Sequence, residues 1–304
     1  MLAFGGLCTS AQMAAVKLYR RRAGQSLSAG AYMQIFSGAA VFAFFLIKNS
    51  LSAGRFTLGF TPYSLVIALL YTSCSFSATV VGIKVTGRGN LGMFSMFAVL
   101  GGMLVPAFIG ILFFNEQVTV FKAIGMAFMI AAIVFPSARS FGQKSDLYCT
   151  VLYFAAFVIY GVGAGLVFIQ QNPVSFDTMS ADGFLSLYGL ILSLGSIICT
   201  VCTRPASDEI TKLFPAWRRS GALYVAAPIL IAVSSGLLVG LANNMSMLAM
   251  APGGVGAVMA ASVLNGCAMV FSYLFGILIF GESVNRMQTA ATVMAVCAAA
   301  MFAF

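Results

Sequence analysis

Residues Gly110 to Val118 read GILFFNEQV, and residues Gly276 to Val284 read GILIFGESV. Gly, Ile, Leu, Phe, Glu and Val recur in register, and Glu116 falls on Glu282 at an offset of 166 residues. Each phrase closes a long apolar run with a single carboxylate. Each is followed by a shorter run rich in Ala, Met and Val, VTVFKAIGMAFMIAAIVF after Glu116 and VNRMQTAATVMAVCAAAMF after Glu282. A chain with only seven acidic residues in 304 has therefore used two of them at the same point of one repeated pattern.

The surrounding composition explains why the pattern is apolar. The chain is 61% hydrophobic and 8% charged, and it contains no histidine. An average soluble domain is about 25% charged, so the composition is that of an integral membrane protein. Apolar runs of about 17 to 25 residues are long enough to span a bilayer as helices. Ten occur, at about 1–16, 29–47, 61–83, 91–114, 118–136, 147–169, 181–202, 221–242, 253–280 and 287–304. They are continuously apolar and do not alternate, which predicts helices and not the strands of a barrel. The seven carboxylates lie between the runs or at their ends, and the hydrophilic segment of greatest length is 203–220. The first run is followed, not preceded, by its basic cluster, so it reads as a retained span and not as a secretory leader.

The two phrases end the fourth and ninth runs, so each half holds five spans. Five is odd. The second half must therefore enter the membrane the other way up, which predicts two inverted five-helix repeats, residues 1–140 and 141–304, with a site at mid-bilayer between them.

Basic residues set the orientation. Lys17, Arg20, Arg21, Arg22, Lys84, Arg88, Arg139, Lys144, Arg204, Lys212, Arg218, Arg219 and Arg286 lie in or beside odd-numbered loops; Lys48, Arg55 and Lys122 lie on the even side. The positive-inside rule makes the odd loops cytoplasmic and both termini non-cytoplasmic, in a multi-pass protein of the cell (inner) membrane. The net charge of +9 is then an orientation signal, with no nucleic-acid partner implied.

A proline in the fourth span (Pro106), an apolar stretch closed by Glu116, and a glycine in the next span (Gly125) resemble the EamA-like repeat of the drug/metabolite transporter superfamily. Glu282 marks the second copy, in which Ser272 stands at the Pro106 position and Ala291 at the Gly125 position. The resemblance implies a ten-helix carrier of small solutes. Many members of that superfamily are expected to keep both termini in the cytoplasm, and the charges here predict the reverse.

Polar groups within the spans are the candidate substrate-binding residues, since a polar group at that depth must be satisfied by protein or by water in a cavity. They are Asn243 and Asn244 in GLLVGLANNMSML, Asn265 and Tyr273 in the ninth span, Gln12, Gln34, Tyr71, Tyr160 and Tyr188. At about 100° per residue, the two adjacent asparagines must face different neighbours. Helix-to-helix bonding is the competing use of such groups, above all for Thr9, Ser10, Thr72, Ser73, Ser75 and Ser77. Glycines 101, 102, 161, 163 and 165 suit close helix approach. Gly253, Gly254 and Gly256 stand at the head of the ninth span, where a helix start offers free N–H groups. Met93, Met96 and Met103 suit an adaptable apolar lining. Glu116 and Glu282 each precede a new helix, where a carboxylate favours the N-terminal end. They are assigned with Pro106 and Lys84 to gating and structure.

Enzymatic readings find no support. No histidine, intramembrane carboxylate pair or Ser/Lys constellation is present, so no catalytic residue is assigned. No phosphate-binding loop implies primary transport. The CxxC of Cys199 and Cys202 lacks a second pair, so no metal or cofactor is expected. The seven cysteines sit mostly in apolar runs as small hydrophobes. The expected function is a secondary transporter working by alternating access on a small metabolite or drug-like solute, with membrane lipid around it and a homodimer left open. A flippase of a lipid-linked intermediate is the alternative; a channel fits less well.

Overall fold

The computed structural model describes residues 1–23, 26–54, 59–88, 91–114, 117–140, 147–172, 176–203, 222–281 and 286–301. Ten α-helices lie among them: α1 (Leu2–Ala23), α2 (Leu27–Ala53), α3 (Pro62–Arg88), α4 (Leu91–Phe114), α5 (Val120–Ser140), α6 (Leu147–Gln171), α7 (Ala181–Thr203), α8 (Ala222–Met250), α9 (Ala257–Phe280) and α10 (Arg286–Met301). The described residues contain no strand, so the fold is all-α.

Seven of these helices, α2, α3, α4, α6, α7, α8 and α9, are long and apolar enough to cross a membrane, the element set of a multi-pass membrane protein. The other three differ for readable reasons. α1 ends on Lys17 and Arg20 to Arg22, and the fully described apolar stretches of α5 and α10 are Val120–Ala132 and Thr292–Met301. Large apolar side chains face outward, among them Leu51, Leu112, Phe113, Ile198 and Leu278. In water such a surface is a liability, whereas in lipid it is the matched solvent.

Helix ends follow local chemistry. Ser26 caps α2 by accepting the Ala29 N–H at 3.1 Å. Gly281 ends α9 in the left-handed region at φ 62°, its N–H bonding to the Ile277 carbonyl at 3.1 Å. Two boundaries differ from expectation. α8 runs on to Met250, because nothing in NNMSMLAM breaks a helix, so both asparagines sit inside it. α9 begins at Ala257 and not at residue 253, because the Ala251–Gly256 turn uses positive φ at Gly253 (84°) and Gly256 (82°).

The helices pack in a set order. α2 lies along α7, α4 along α6, and α5 along α10; α1 is wedged against α8 and α9, and α3 against α6 and α7. α8 also meets α2, and α9 meets α4 and α10. Backbones touch where glycine allows it. A methyl group on Gly101 would overlap the Phe157 carbonyl of α6, and one on Gly6 would lie 2.7 Å from the Leu264 carbonyl of α9. At the α2–α7 crossing the contact is reciprocal. A methyl on Gly38 would lie 2.8 Å from Gly189 O and 2.7 Å from Ser193 N; one on Gly189 would lie 2.8 Å from Gly38 O and 2.5 Å from Phe42 N.

Candidate functional site

A cavity of about 550 Å³ lies inside the bundle. α1 contributes residues from Thr9 to Arg21, α2 from Gly30 to Val41, α3 from Tyr71 to Thr79, α4 from Phe94 to Gly102 and α9 from Leu264 to Phe280. In every one of these helices the contributed stretch reaches from mid-length toward the odd-numbered loop. α6, α7 and α8 add residues such as Tyr160, Tyr188 and Asn243. The lining is thus weighted toward the odd-loop face, and it reaches toward the even-loop face as far as Val167 of α6 and Ser246 of α8.

Eight of the nine predicted binding residues line it: Gln12, Gln34, Tyr71, Tyr160, Tyr188, Asn243, Asn265 and Tyr273. Its floor is an aromatic and amide cluster. Asn243 Nδ2 donates to Tyr71 Oη at 2.8 Å, the rings of Tyr71 and Tyr188 lie 4.7 Å apart, and Tyr188 Oη meets Ser75 Oγ at 3.2 Å. Gln34 Nε2 donates to Thr79 Oγ1 at 2.6 Å, and Tyr273 Oη lies 2.8 Å from Thr289 Oγ1. Asn265 spends both amide hydrogens on backbone, the Ala261 carbonyl at 2.9 Å and the Gly102 carbonyl at 3.3 Å, so its role is partly to join α9 to α4. Tyr160 packs edge-on against Phe94 at 6.2 Å. Among the described residues the Gln12 amide and the Asn243 Oδ1 have no protein hydrogen bond. Buried amide groups seek partners. Both amides therefore offer free hydrogen-bonding groups to the cavity.

Asn244 goes elsewhere. It is buried at 1% exposure and outside the lining, and it bonds to Asp182 and Lys48. The turn of about 100° between neighbours on a helix separates it from Asn243. Lys84 is exposed at the end of α3 and does not line the cavity. Pro106 is buried within α4. Glu116, Glu282 and the segment 204–220 lie outside the described residues.

Several site features had no signal in the sequence reading. Lys17, Arg20 and Arg21 line the entrance, with Arg20 Nη1 donating to the Gly82 carbonyl at 3.4 Å and Lys17 Nζ 4.0 Å above the Phe280 ring. They were legible as orientation charges only. At the opposite face Lys48 Nζ contacts Asp182 Oδ1 at 2.7 Å, joining α2 to α7 across 134 residues of sequence. Nearby, Gln170 Nε2 donates to Ser64 Oγ at 2.9 Å, and Ser64 Oγ also accepts the Met179 N–H. Only knowledge that α2 lies along α7, and α3 along α6, would have brought these pairs together.

No protein-family model matches the chain, and no curated protein matches it. A solved structure described as "Crystal structure of protein" aligns with 99% of this chain and 94% of its own, at a TM-score of 0.66 and 17% identity. At that identity the likeness is one of fold alone.

Proposed function

We propose that the chain is a secondary transporter of the EamA-like, drug/metabolite transporter kind, moving a small metabolite or drug-like solute by alternating access. Its substrate site is the cavity floor, between two inverted five-helix repeats, residues 1–140 and 141–304.

One observation carries this reading: the packing order survives exchange of the halves. Replacing each helix by the one five places along returns α2–α7, α5–α10 and α4–α9 to themselves. The same exchange turns α4–α6 into α9–α1, α1–α8 into α6–α3, α2–α8 into α7–α3 and α9–α10 into α4–α5. A two-fold axis through an inverted repeat produces such a pattern. Ten spans follow, with α1, α5 and α10 as the partners by exchange of α6, α10 and α5. A cavity weighted toward one face is then one of two alternating states. A channel needs a continuous polar path, which such a cavity fits less well.

The basic residues at the entrance put that face in the cytoplasm and both termini outside. Coupling by a buried acid finds no carboxylate among the described lining residues, so recognition falls to neutral groups, Gln12, Asn243 and Tyr71 foremost. The deciding experiment is counterflow in reconstituted vesicles. Vesicles preloaded with an unlabelled solute accelerate entry of its labelled form only if a carrier alternates, and that acceleration is expected to saturate. Linear, non-saturating flux would replace the carrier by a channel.

A further inference from the structure

The two ends of the α2–α7 crossing are not chemically equivalent. Gly38 approaches Gly189 and Ser193, Gly189 approaches Gly38 and Phe42, and the exchanged pairs Gly38/Gly189 and Phe42/Ser193 are both 151 residues apart. A contact in which each partner makes the same approach to the other marks a local two-fold axis. The same offset relates Lys48 to Cys199, and Asp182 to Ala31. On the even-loop face the crossing therefore ends in a cation and an anion; on the odd-loop face the matching positions carry a thiol and a methyl group.

Lys48 and Asp182 are tied further by α8. Asn244 Nδ2 donates to Asp182 Oδ1 at 2.9 Å, and Lys48 Nζ donates to Asn244 Oδ1 at 3.1 Å, closing a three-membered network across three helices. The Asp182 carboxylate is not needed as a helix cap. Ser180 already fills that role, its Oγ accepting the Gly183 N–H at 3.1 Å. Ser180 Oγ also donates to Asn49 Oδ1 of α2 at 3.0 Å, one residue beyond Lys48. The even-loop ends of α4, α6, α8 and α9 are also filled, with Phe168, Met250, Ala260 and Ala261 buried together and the Phe114 and Phe168 rings 4.7 Å apart.

We propose that Lys48, Asp182 and Asn244 form the gate that shuts the cavity on the even-loop face. The proposal rests on the alternating-access reading. For the cavity to open on the other side, α2 and α7–α8 must part there, and the network must break. Its polar groups are then handed to water, so the closed form is favoured by the difference between the paired and hydrated states. A half-exposed pair alone contributes little. The buried amide that bonds to both charged partners raises that contribution, because hydrogen bonds to charged groups are the stronger ones.

Cys74 lines the cavity and Cys8 is buried, so the native thiols report on the gate. The full-length protein in sealed vesicles of both orientations is treated with a membrane-impermeant methanethiosulfonate, and labelling of each cysteine is read by peptide mass spectrometry. In the wild type, Cys74 reacts from one face. In Asp182→Ala its labelling from the opposite face rises about fivefold or more, while Cys8 stays protected; the swap Lys48→Asp with Asp182→Lys returns it toward wild type. If Asp182→Ala exposes Cys8 as well, Lys48→Gln, which keeps chain length and loses charge, is read in its place. Unchanged sidedness of Cys74 in a variant with Cys8 protected overturns the gate. The labelling needs no solute. A switch of face without any counterflow would leave the gate standing and remove the transporter reading, and normal counterflow with unchanged sidedness would do the opposite.

Discussion

Asn243 and Asn244 are neighbours on one helix and do opposite work. Asn243 reaches into the cavity floor and keeps an unpaired oxygen there, while Asn244 is fully bonded within a network at the closed face. The same contrast runs through the whole bundle. The odd-loop half is hollow and polar, lined by amides and tyrosines under a rim of Lys17, Arg20 and Arg21; the even-loop half is crossed by the Lys48–Asp182 ion pair. If the two ends are built on one repeated plan, as proposed, they have diverged in their side chains. The backbone plan then supplies the symmetry, and a few polar substitutions supply the difference between the ends.

The contrast breaks most severely at the point both ends share. Gly38→Val places methyl groups against the Gly189 carbonyl and the backbone nitrogen of Ser193, which have no room to retreat. Overpacking of this kind costs about 3 kcal/mol or more, so the variant is expected to lose its monodisperse peak on size exclusion in detergent. A peak and melting temperature like the wild type's would remove the crossing as a fixed contact.

A smaller effect is expected within the cavity. Asn243→Leu removes both the bond to Tyr71 and the free acceptor, and transport in vesicles is expected to fall about tenfold or more, with Cys74 sidedness unchanged. Asn244→Leu has the reverse signature, altered sidedness with cavity binding kept. Identical phenotypes for the two would dissolve the contrast.

Gln12→Leu should act on the solute alone. A loss of about three- to tenfold in apparent affinity, with an unaltered maximal rate of counterflow, is the expected reading. Lys84→Gln sits at the bottom of the scale. Exposed and outside the lining, it should change stability by less than about 0.5 kcal/mol and leave counterflow as it was; a tenfold loss would bring the end of α3 into the entrance.

Much of this architecture was legible in the sequence for physical reasons. Continuously apolar runs announce helices in lipid because a helix satisfies its own backbone there, whereas the strands of a barrel alternate. The repeated GIL phrase falls at the ends of α4 and α9, two helices that pack against each other. Cavity residues could be named from type alone, since amides and tyrosines at mid-span are costly without a partner. What stayed hidden is pairwise. Lys48 and Asp182 look like two unrelated charges at span ends, and only the lie of α2 along α7 brings them together. The direction of Asn244 was open to the same degree, because a 100° step says that neighbours diverge without saying which one meets the cavity. The length of α8 was underestimated, since a polar Asn pair reads as a span end when nothing shows that its side chains are occupied.

The reciprocal glycine contact has a mechanical consequence. Backbones held that close cannot slide past one another, so α2 and α7 are left with tilting about their touching point. Lys48 stands ten residues from Gly38, a lever of about 15 Å at a rise of about 1.5 Å per residue. A tilt of about 15° would carry that lever's tip through about 4 Å, more than enough to part a 2.7 Å contact. The far arm, ending at Ala31, would close by a somewhat smaller distance in the same stroke. A seesaw with a fixed fulcrum cannot lift both ends, so under the proposed alternating access the geometry itself opposes a state open at both faces.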